Sequence, residues 1–595
     1  MFRRRDGDPA GKGQRALSVP HRDLRAAGVY RPTMGNTPVA EPHVPTRGKP
    51  PVPPGPNSSP TTARPAAGRI ARRRLPAAAR RACGGHRVFV IALAAGAALR
   101  LATELGYRWA IWFNDSFDYV AIALRLRPDP MRPVGYPVLL WLVRPLHSLV
   151  VVTSLQHLLG LATAVAGYLL LRGRFGLPGW GATLAMAPVL FDAFEIHLEQ
   201  LLLADTLFTL LAVVAVTVLC RLPASRDERM GARQGALAGG LLALAALTRP
   251  VGIPLIVLAV GYLIICRVGW RAVTAAAAAA FAPLAGYLLW FHAIYGQFAL
   301  DSTDGIYLWG RTAAFAECDV IKPPPNEAWL CPQLAPAQRA ASSAQVWQPN
   351  SPLHWQHGQV FSTRENELAM RFALRAIAAQ PGGYAQTVLA SLRRAFAWDR
   401  TAYPTGYTAS LYTFAGAKTW LPTWPEPDGR TAAAVASAYA GGRAATTVAA
   451  PYAGIMRWYQ RYVYLRGTLV GLILIMPPAA GVAEFTFRRT RRAARGRPGQ
   501  QRAPGRGAGI RTGRAAAWLC WSGAVALLVF PPLTVDFDYR YMLPVVPFGC
   551  LAAALAARRF LATTGRFQVG RTPWRCGRSA PVSIRTDREL TRSDG

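Results

Sequence analysis

Negative charge is scarce in this sequence. Only 30 Asp and Glu stand against 68 Lys and Arg, and charged residues of both signs make up 16% of 595 positions. Soluble chains carry about 25%, so a wholly soluble protein is a poor fit. The eight cysteines include no CxxC pair and no metal-like spacing, which removes zinc-ribbon and thioredoxin-type readings. No glycine-rich loop sits between a strand and a helix, which argues against a soluble nucleotide-sugar domain. Residues 1–85 contain no apolar run of the signal-peptide kind. They are rich in Pro, Gly and Arg and too poor in apolar surface to offset chain entropy, so they are expected to be a disordered basic region.

What is abundant is apolar sequence, 52% of the chain. It falls into ten runs: 88–105, 149–171, 178–194, 201–222, 236–247, 253–266, 272–295, 465–485, 515–535 and 542–557. A bilayer crossing needs about 20 apolar residues. The fifth and sixth runs are short and are separated by Thr248-Arg249-Pro250, so they read as a hairpin with Arg249 near the outer surface of the membrane. The expected fold class is therefore an all-α polytopic membrane protein of about ten transmembrane helices, with juxtamembrane helices in its outer loops. Its expected organisation is a basic N-terminal region (1–85), helices one to seven (86–296) with a first outer loop at 106–148, a large loop (297–460), helices eight to ten (461–557) with a basic loop at 486–514, and a basic tail (558–595). Within the large loop, Pro381 should separate helices at 365–380 and 384–398.

The excess of positive charge, +38, lies in Pro/Gly/Arg-rich segments beside the apolar runs. A nucleic-acid domain instead places its basic residues on a folded face with a known motif. Anionic headgroups are the fitting partners here, and nucleic acid is not expected. Ten crossings put every dense Arg cluster on the cytoplasmic side under the positive-inside rule. The expectation is a multi-pass cell-membrane protein with the loops 106–148 and 297–460 outside.

Several residues in this frame can carry chemistry. Asp115 and Asp118 follow the first run directly; a carboxylate there can act as general base, or simply be a solvated acid capping the next helix. Asp205 lies in an apolar helix, where an acid costs about 2.5–3.5 kcal/mol on insertion scales and so needs a partner or a function. Glu195 and Glu199 precede that helix and are expected at the outer surface. Arg249 and Arg540 are the leading phosphate readers, because a guanidinium matches phosphate bidentately; the alternative is a headgroup anchor. Arg132 and Arg311 are weaker candidates. Asp536 and Asp538 fit best as partners of Arg540 or Arg100. Cys318 and Cys331 are expected to pair in an outside loop, with two free thiols as the alternative. His354 and His357 sit in irregular context and do not suggest a metal site. No cofactor is indicated; a divalent metal is compatible with the sequence, though no residue pattern indicates one.

The segment DSFDYVAIALRL…RPVGYPVLLWLVRPL (115–146) resembles the first outer loop of the GT-C superfamily, multi-spanning lipid-phosphate-dependent glycosyltransferases related to protein mannosyltransferases and aminoarabinose transferases. LEQLLLADTLFTLLAVV (198–214), GGLLALAALTRPVGIPLIVL (239–258), AIAAQPGGYAQTVLASLRRAF (376–396) and DFDYRYMLPVVPF (536–548) are similar to further segments of that group, in the same order. The resemblance implies a polyprenyl-phosphate sugar donor, a glycan, lipid or protein acceptor, and an inverting single displacement. It implies Asp115 as base, with Asp118 and Tyr119 beside it, and Asp205, Glu199, Arg249 and Arg540 as substrate-binding candidates. The chain has Asp-Ser where the group commonly has Asp-Glu. A glycolipid flippase is the rival from another class, though it usually lines a midplane path and carries paired repeats, and no internal repeat is evident. A non-catalytic envelope scaffold is the third reading.

Overall fold

A computed structural model describes residues 86–221, 230–348, 351–353, 361–426, 429–494 and 506–563. The basic regions 1–85, 495–505 and 564–595, and the pair His354 and His357, lie outside them.

The described residues hold eighteen α-helices of eight or more residues. They are α1 (Arg87–Gly106), α2 (Asn114–Arg125), α3 (Gly135–Val143), α4 (Leu149–Leu169), α5 (Gly179–Phe191), α6 (Ala193–Gln200), α7 (Asp205–Cys220), α8 (Ala232–Thr248), α9 (Ile253–Ile265) and α10 (Trp270–Tyr295), then α11 (Asp304–Thr312), α12 (Thr363–Ala379), α13 (Pro381–Ala395), α14 (Ala432–Ala440), α15 (Tyr452–Tyr462), α16 (Gly467–Ala494), α17 (Arg506–Thr534) and α18 (Val545–Thr563). Six stretches are helical, long and apolar enough to cross a membrane: Arg87–Gly106, Leu149–Arg174, Trp270–Tyr295, Gly467–Phe487, Gly513–Thr534 and Tyr539–Ala562. The pair α5 and α6 makes a seventh if its 50° bend at Asp192 is one broken crossing. The other three expected runs are the shorter helices α7, α8 and α9. All ten apolar runs are thus helical, and the protein is a multi-pass membrane protein. Lipid explains the apolar side chains left uncovered on α10, where Trp270, Phe281 and Leu289 are all exposed.

Small residues set the closest helix contact. On α8, Gly235 and Gly239 lie four apart and face Ala272 and Ala276 of α10; a methyl on either glycine would collide with an alanine carbonyl. This spacing lets two backbones approach where apolar burial alone gives no drive to associate. At Thr248-Arg249-Pro250 the helical run breaks because Pro250 cannot donate to the ladder. Thr248 Oγ1 donates to Leu244 O at 2.7 Å, and α9 begins three residues after the proline.

The large loop is itself largely helical. Ser362 Oγ accepts the Glu365 N–H at 3.2 Å while Glu365 Oε2 accepts the Ser362 N–H at 2.8 Å, which starts α12. Pro381 ends it and opens α13, each helix lying a few residues N-terminal of the sequence expectation. A disulfide joins Cys318 and Cys331, rather than leaving two free thiols. The loop folds back on the first one. Tyr107 and Arg108 pair antiparallel with Val448 and Thr447, the Trp112 indole donates to Ala444 O at 2.8 Å, and Tyr439 OH donates to Leu140 O at 2.8 Å. These contacts hold α2 under the loop in one apolar cluster with Phe117, Tyr136, Tyr412 and Tyr439.

Candidate active site

Asp115 and Asp118 sit one turn apart on α2. The helix starts at Asn114, where Ser116 Oγ accepts the Phe113 N–H at 3.0 Å. Asp115 is therefore not a solvated cap. It is 8% exposed and ion-paired on both oxygens: Oδ1 with Arg132 Nη2 at 2.7 Å and Oδ2 with Arg540 Nη1 at 2.7 Å. Arg132 also reaches Asp118 Oδ2 through Nε at 3.2 Å. Burial pushes the Asp115 carboxyl up, but Arg132 and Arg540 outweigh it and hold the group at about 2. Burial pushes Asp118 well above the ordinary carboxylate range; Arg132 works against this, while Glu426, Asp115 and Asp129 add to it. Two neighbouring carboxyls thus have opposed titration, the pattern that separates acid and base roles.

These residues line a cavity of about 1050 Å³. Arg132, Arg249 and Arg540 share it with Asp115, Asp118 and Tyr119. Arg249 forms an ion pair with Asp205, and its guanidinium lies 5.1 Å from the Tyr541 ring centre. Arg540 lies over Phe113 at 4.9 Å and Tyr541 at 5.3 Å. The three arginines come from the first loop, the Pro-broken turn after α8 and the turn before α18, so distant sequence segments converge here. The large loop supplies Asp301, Asp304, Tyr307, Trp347, Tyr407, Trp424 and Glu426 to the same walls. Burial raises Asp301 to about 6. Tyr407 OH donates to Asn114 Oδ1 at 3.1 Å, next to Asp115. Ile253, Phe298, Leu527 and Phe530 add an apolar wall.

Several expected residues stand elsewhere. Asp205 does not line the cavity; it is 1% exposed in the first turn of α7 and meets the cavity wall only through its ion pair with Arg249. Glu195 and Glu199 are not at a surface. Glu195 is buried, and Glu199 is fully buried, accepting from Arg100 Nε at 2.7 Å and Nη2 at 2.6 Å and lying 2.8 Å from His157 Nδ1. An arginine inside α1 needs a counter-charge, and Glu199 supplies it. Arg100 is therefore not the partner of Asp536 or Asp538. Asp536 instead accepts from Arg311 Nη1 at 3.3 Å, Tyr403 OH at 2.6 Å and Ser343 N at 2.9 Å. That contact takes Arg311 out of the phosphate readers: it is 1% exposed and outside the cavity wall. Asp538 lies 3.7 Å from Arg540 Nε. Among the described residues, no group of three or more His, Cys, Asp or Glu could hold a metal ion.

Arg132 and the loop residues are the parts of this cavity least visible in the sequence. Arg132 carries a weak signal, because it follows Asp115 by 17 positions in a Pro-flanked turn that folds back on α2. Asp301, Tyr407 and Glu426 carry none, since only the loop's tertiary course brings them in.

No family profile matches the sequence, and no curated protein matches it. Two solved structures are similar to it in part. One is the S. cerevisiae protein O-mannosyltransferase Pmt1–Pmt2 complex bound to the sugar donor, at 18% identity and TM-score 0.28, over 40% of this chain and 36% of that one. The other is an Archaeoglobus fulgidus oligosaccharyltransferase in the apo form, at 13% identity and TM-score 0.33, over 78% of this chain and 50% of that one. The chain thus spans half or less of the length of either.

Proposed function

We propose that this protein is a membrane glycosyltransferase that takes a sugar from a polyprenyl-phosphate donor and transfers it, with inversion, to an acceptor outside the cytoplasm. The observation that carries this reading is three arginines and a carboxylate pair in one cavity that also has an apolar wall. Arg132, Arg249 and Arg540 suit the phosphate, and the wall at Ile253, Phe298, Leu527 and Phe530 suits the first isoprene units. The polar loop wall suits sugar hydroxyls.

In the proposed reaction the acceptor oxygen attacks the anomeric carbon as the bond to the phosphate oxygen breaks. The acceptor proton passes to a carboxylate, and the phosphate leaves as an anion that needs no proton. Asp115 is the proposed base. With two arginines on it, it is a weak one. A bound phosphate draws Arg540 toward itself and so relaxes its hold on Asp115, which makes the base more effective once the donor is present. Asp118 is the second reading, favoured by burial that lifts its carboxyl toward working pH, where a general base is most efficient. The test is lipid-linked sugar profiling in cells with and without the gene. One polyprenyl-phosphate sugar should accumulate in its absence; unchanged lipid-linked sugars would overturn the reading.

A further inference from the structure

Two aromatic side chains of the large loop line the cavity with ring surface still open. Tyr407 is 55% exposed and Trp424 is half-buried. Each is held by a polar contact at its edge. Tyr407 OH donates to Asn114 Oδ1 at 3.1 Å, and the turn that carries it is closed by Thr405 Oγ1 accepting the Thr408 N–H at 3.0 Å. The Trp424 indole donates to Glu426 Oε1 at 3.2 Å, and its ring meets buried Phe117 at right angles with centres 5.8 Å apart. Rings fixed in this way lose little freedom when a ligand covers them. The wall beside them is polar, with the exposed Asn114 amide and the buried Glu426 carboxyl.

We infer that the acceptor is a saccharide, seated on Tyr407 and Trp424 beside Asp115. The inference rests on the proposed donor chemistry and adds the acceptor class to it. A sugar ring is amphipathic: C–H bonds cover its faces and hydroxyls surround its edge. The C–H face stacks on the negative face of an aromatic ring, and the hydroxyls pair with groups such as the Asn114 amide and the Glu426 carboxyl. Tyr407 is tied to Asn114, the residue before Asp115, so a sugar stacked there brings a hydroxyl toward the proposed base. Arg249 and Arg540, which hold the donor phosphate, come instead from the turns after α8 and before α18. An extended peptide would pair with a strand edge, and the described lining residues offer none. A lipid acceptor would need a second apolar wall, because the donor chain takes the one at Ile253 and Phe298.

The test uses the full-length protein in nanodiscs and follows release of polyprenyl phosphate. Lipid extract of cells lacking the gene supplies the donor, and the protease-digested polysaccharide fraction of the same cells' envelope is the acceptor probe. Release should require the polysaccharide and not occur with the lipid extract alone. Tyr407→Ala should raise the half-saturating polysaccharide concentration roughly fivefold, the weight of one aromatic contact, and leave that of the donor unchanged. Tyr407→Phe keeps the ring and loses only the bond to Asn114, so it should stay within about twofold of wild type. A purely structural role for Tyr407, acting through Asn114, would make the two variants alike. Release without the polysaccharide, or only with undigested protein, overturns the inference and leaves the donor chemistry standing. So does an unchanged Tyr407→Ala, an equal loss in both variants, or a shift in donor rather than acceptor half-saturation. No release even with the whole envelope overturns both.

Discussion

Arg132 bridges the two carboxyls, so its replacement separates charge from geometry. It donates to Asp115 at 2.7 Å and to Asp118 at 3.2 Å with a side chain 15% exposed. A hydrogen bond to a charged group is worth about 1.5–3 kcal/mol. Arg132→Lys keeps the charge but offers a single ammonium in place of the planar fork. Losing one of the two bonds should lower turnover by about 10- to 100-fold. Arg132→Gln removes both, along with the strongest influence lowering Asp115. The sign follows directly. A base must be ionised, so activity is present above the Asp115 pKa and lost below it. Without Arg132 that pKa rises from about 2, and the acid limb of the rate profile moves to higher pH. Stability moves the same way. A carboxyl held at about 2 rather than 3.8 contributes about 2 kcal/mol at neutral pH, lost as pH falls from about 4 toward 2. The assay is release of polyprenyl phosphate from its glycosylated form in nanodiscs, with membrane extract as acceptor source, across pH. An acid limb that stays in place while the rate drops uniformly would refute the electrostatic role of Arg132.

Other substitutions test the frame around the site. Glu199→Gln leaves Arg100 buried without its counter-charge and should cost about 3–5 kcal/mol, read as a lower unfolding temperature in detergent with donor affinity unchanged; normal stability with lost affinity would return Glu199 to the binding site. Gly239→Val should force α8 off α10 at Ala276 and lower stability or yield of folded protein, whereas Gly240→Ala, which meets nothing within 4 Å, should not. Protein isolated without reductant should show two fewer reactive thiols than reduced protein, and Cys318→Ser should cost about 3 kcal/mol of loop constraint; both thiols free would remove the bridge.

The sequence made the membrane helices legible because long apolar runs have few other uses, and the Pro250 and Pro381 breaks were readable from the missing N–H. Asp115, Arg249 and Arg540 are visible for a similar local reason, each being a charge at the edge of an apolar run, and each lines the cavity. Pairing was legible only at short range, for Cys318 with Cys331 and Asp538 with Arg540. Glu199 was expected outside because it precedes a helix, but its partner Arg100 lies 99 positions away on α1. Arg311 and Asp536 meet across 225 positions, and Tyr412 and Asp538 across 126. No periodicity or spacing encodes such contacts; they follow from how the large loop returns over α2.

In the proposed reaction the carboxylate pair on α2 does the proton transfer while the arginines hold the donor. The direct measurement compares Asp115→Asn and Asp118→Asn for turnover and for polyprenyl-phosphate affinity, side by side. Asp115→Asn should lose about 10²- to 10⁴-fold in turnover, the usual scale of a lost general base, with donor affinity kept; Asp118→Asn should lose less. The reverse order would move the base to Asp118. Normal turnover in both would contradict this proton transfer and remove the pair from the chemistry.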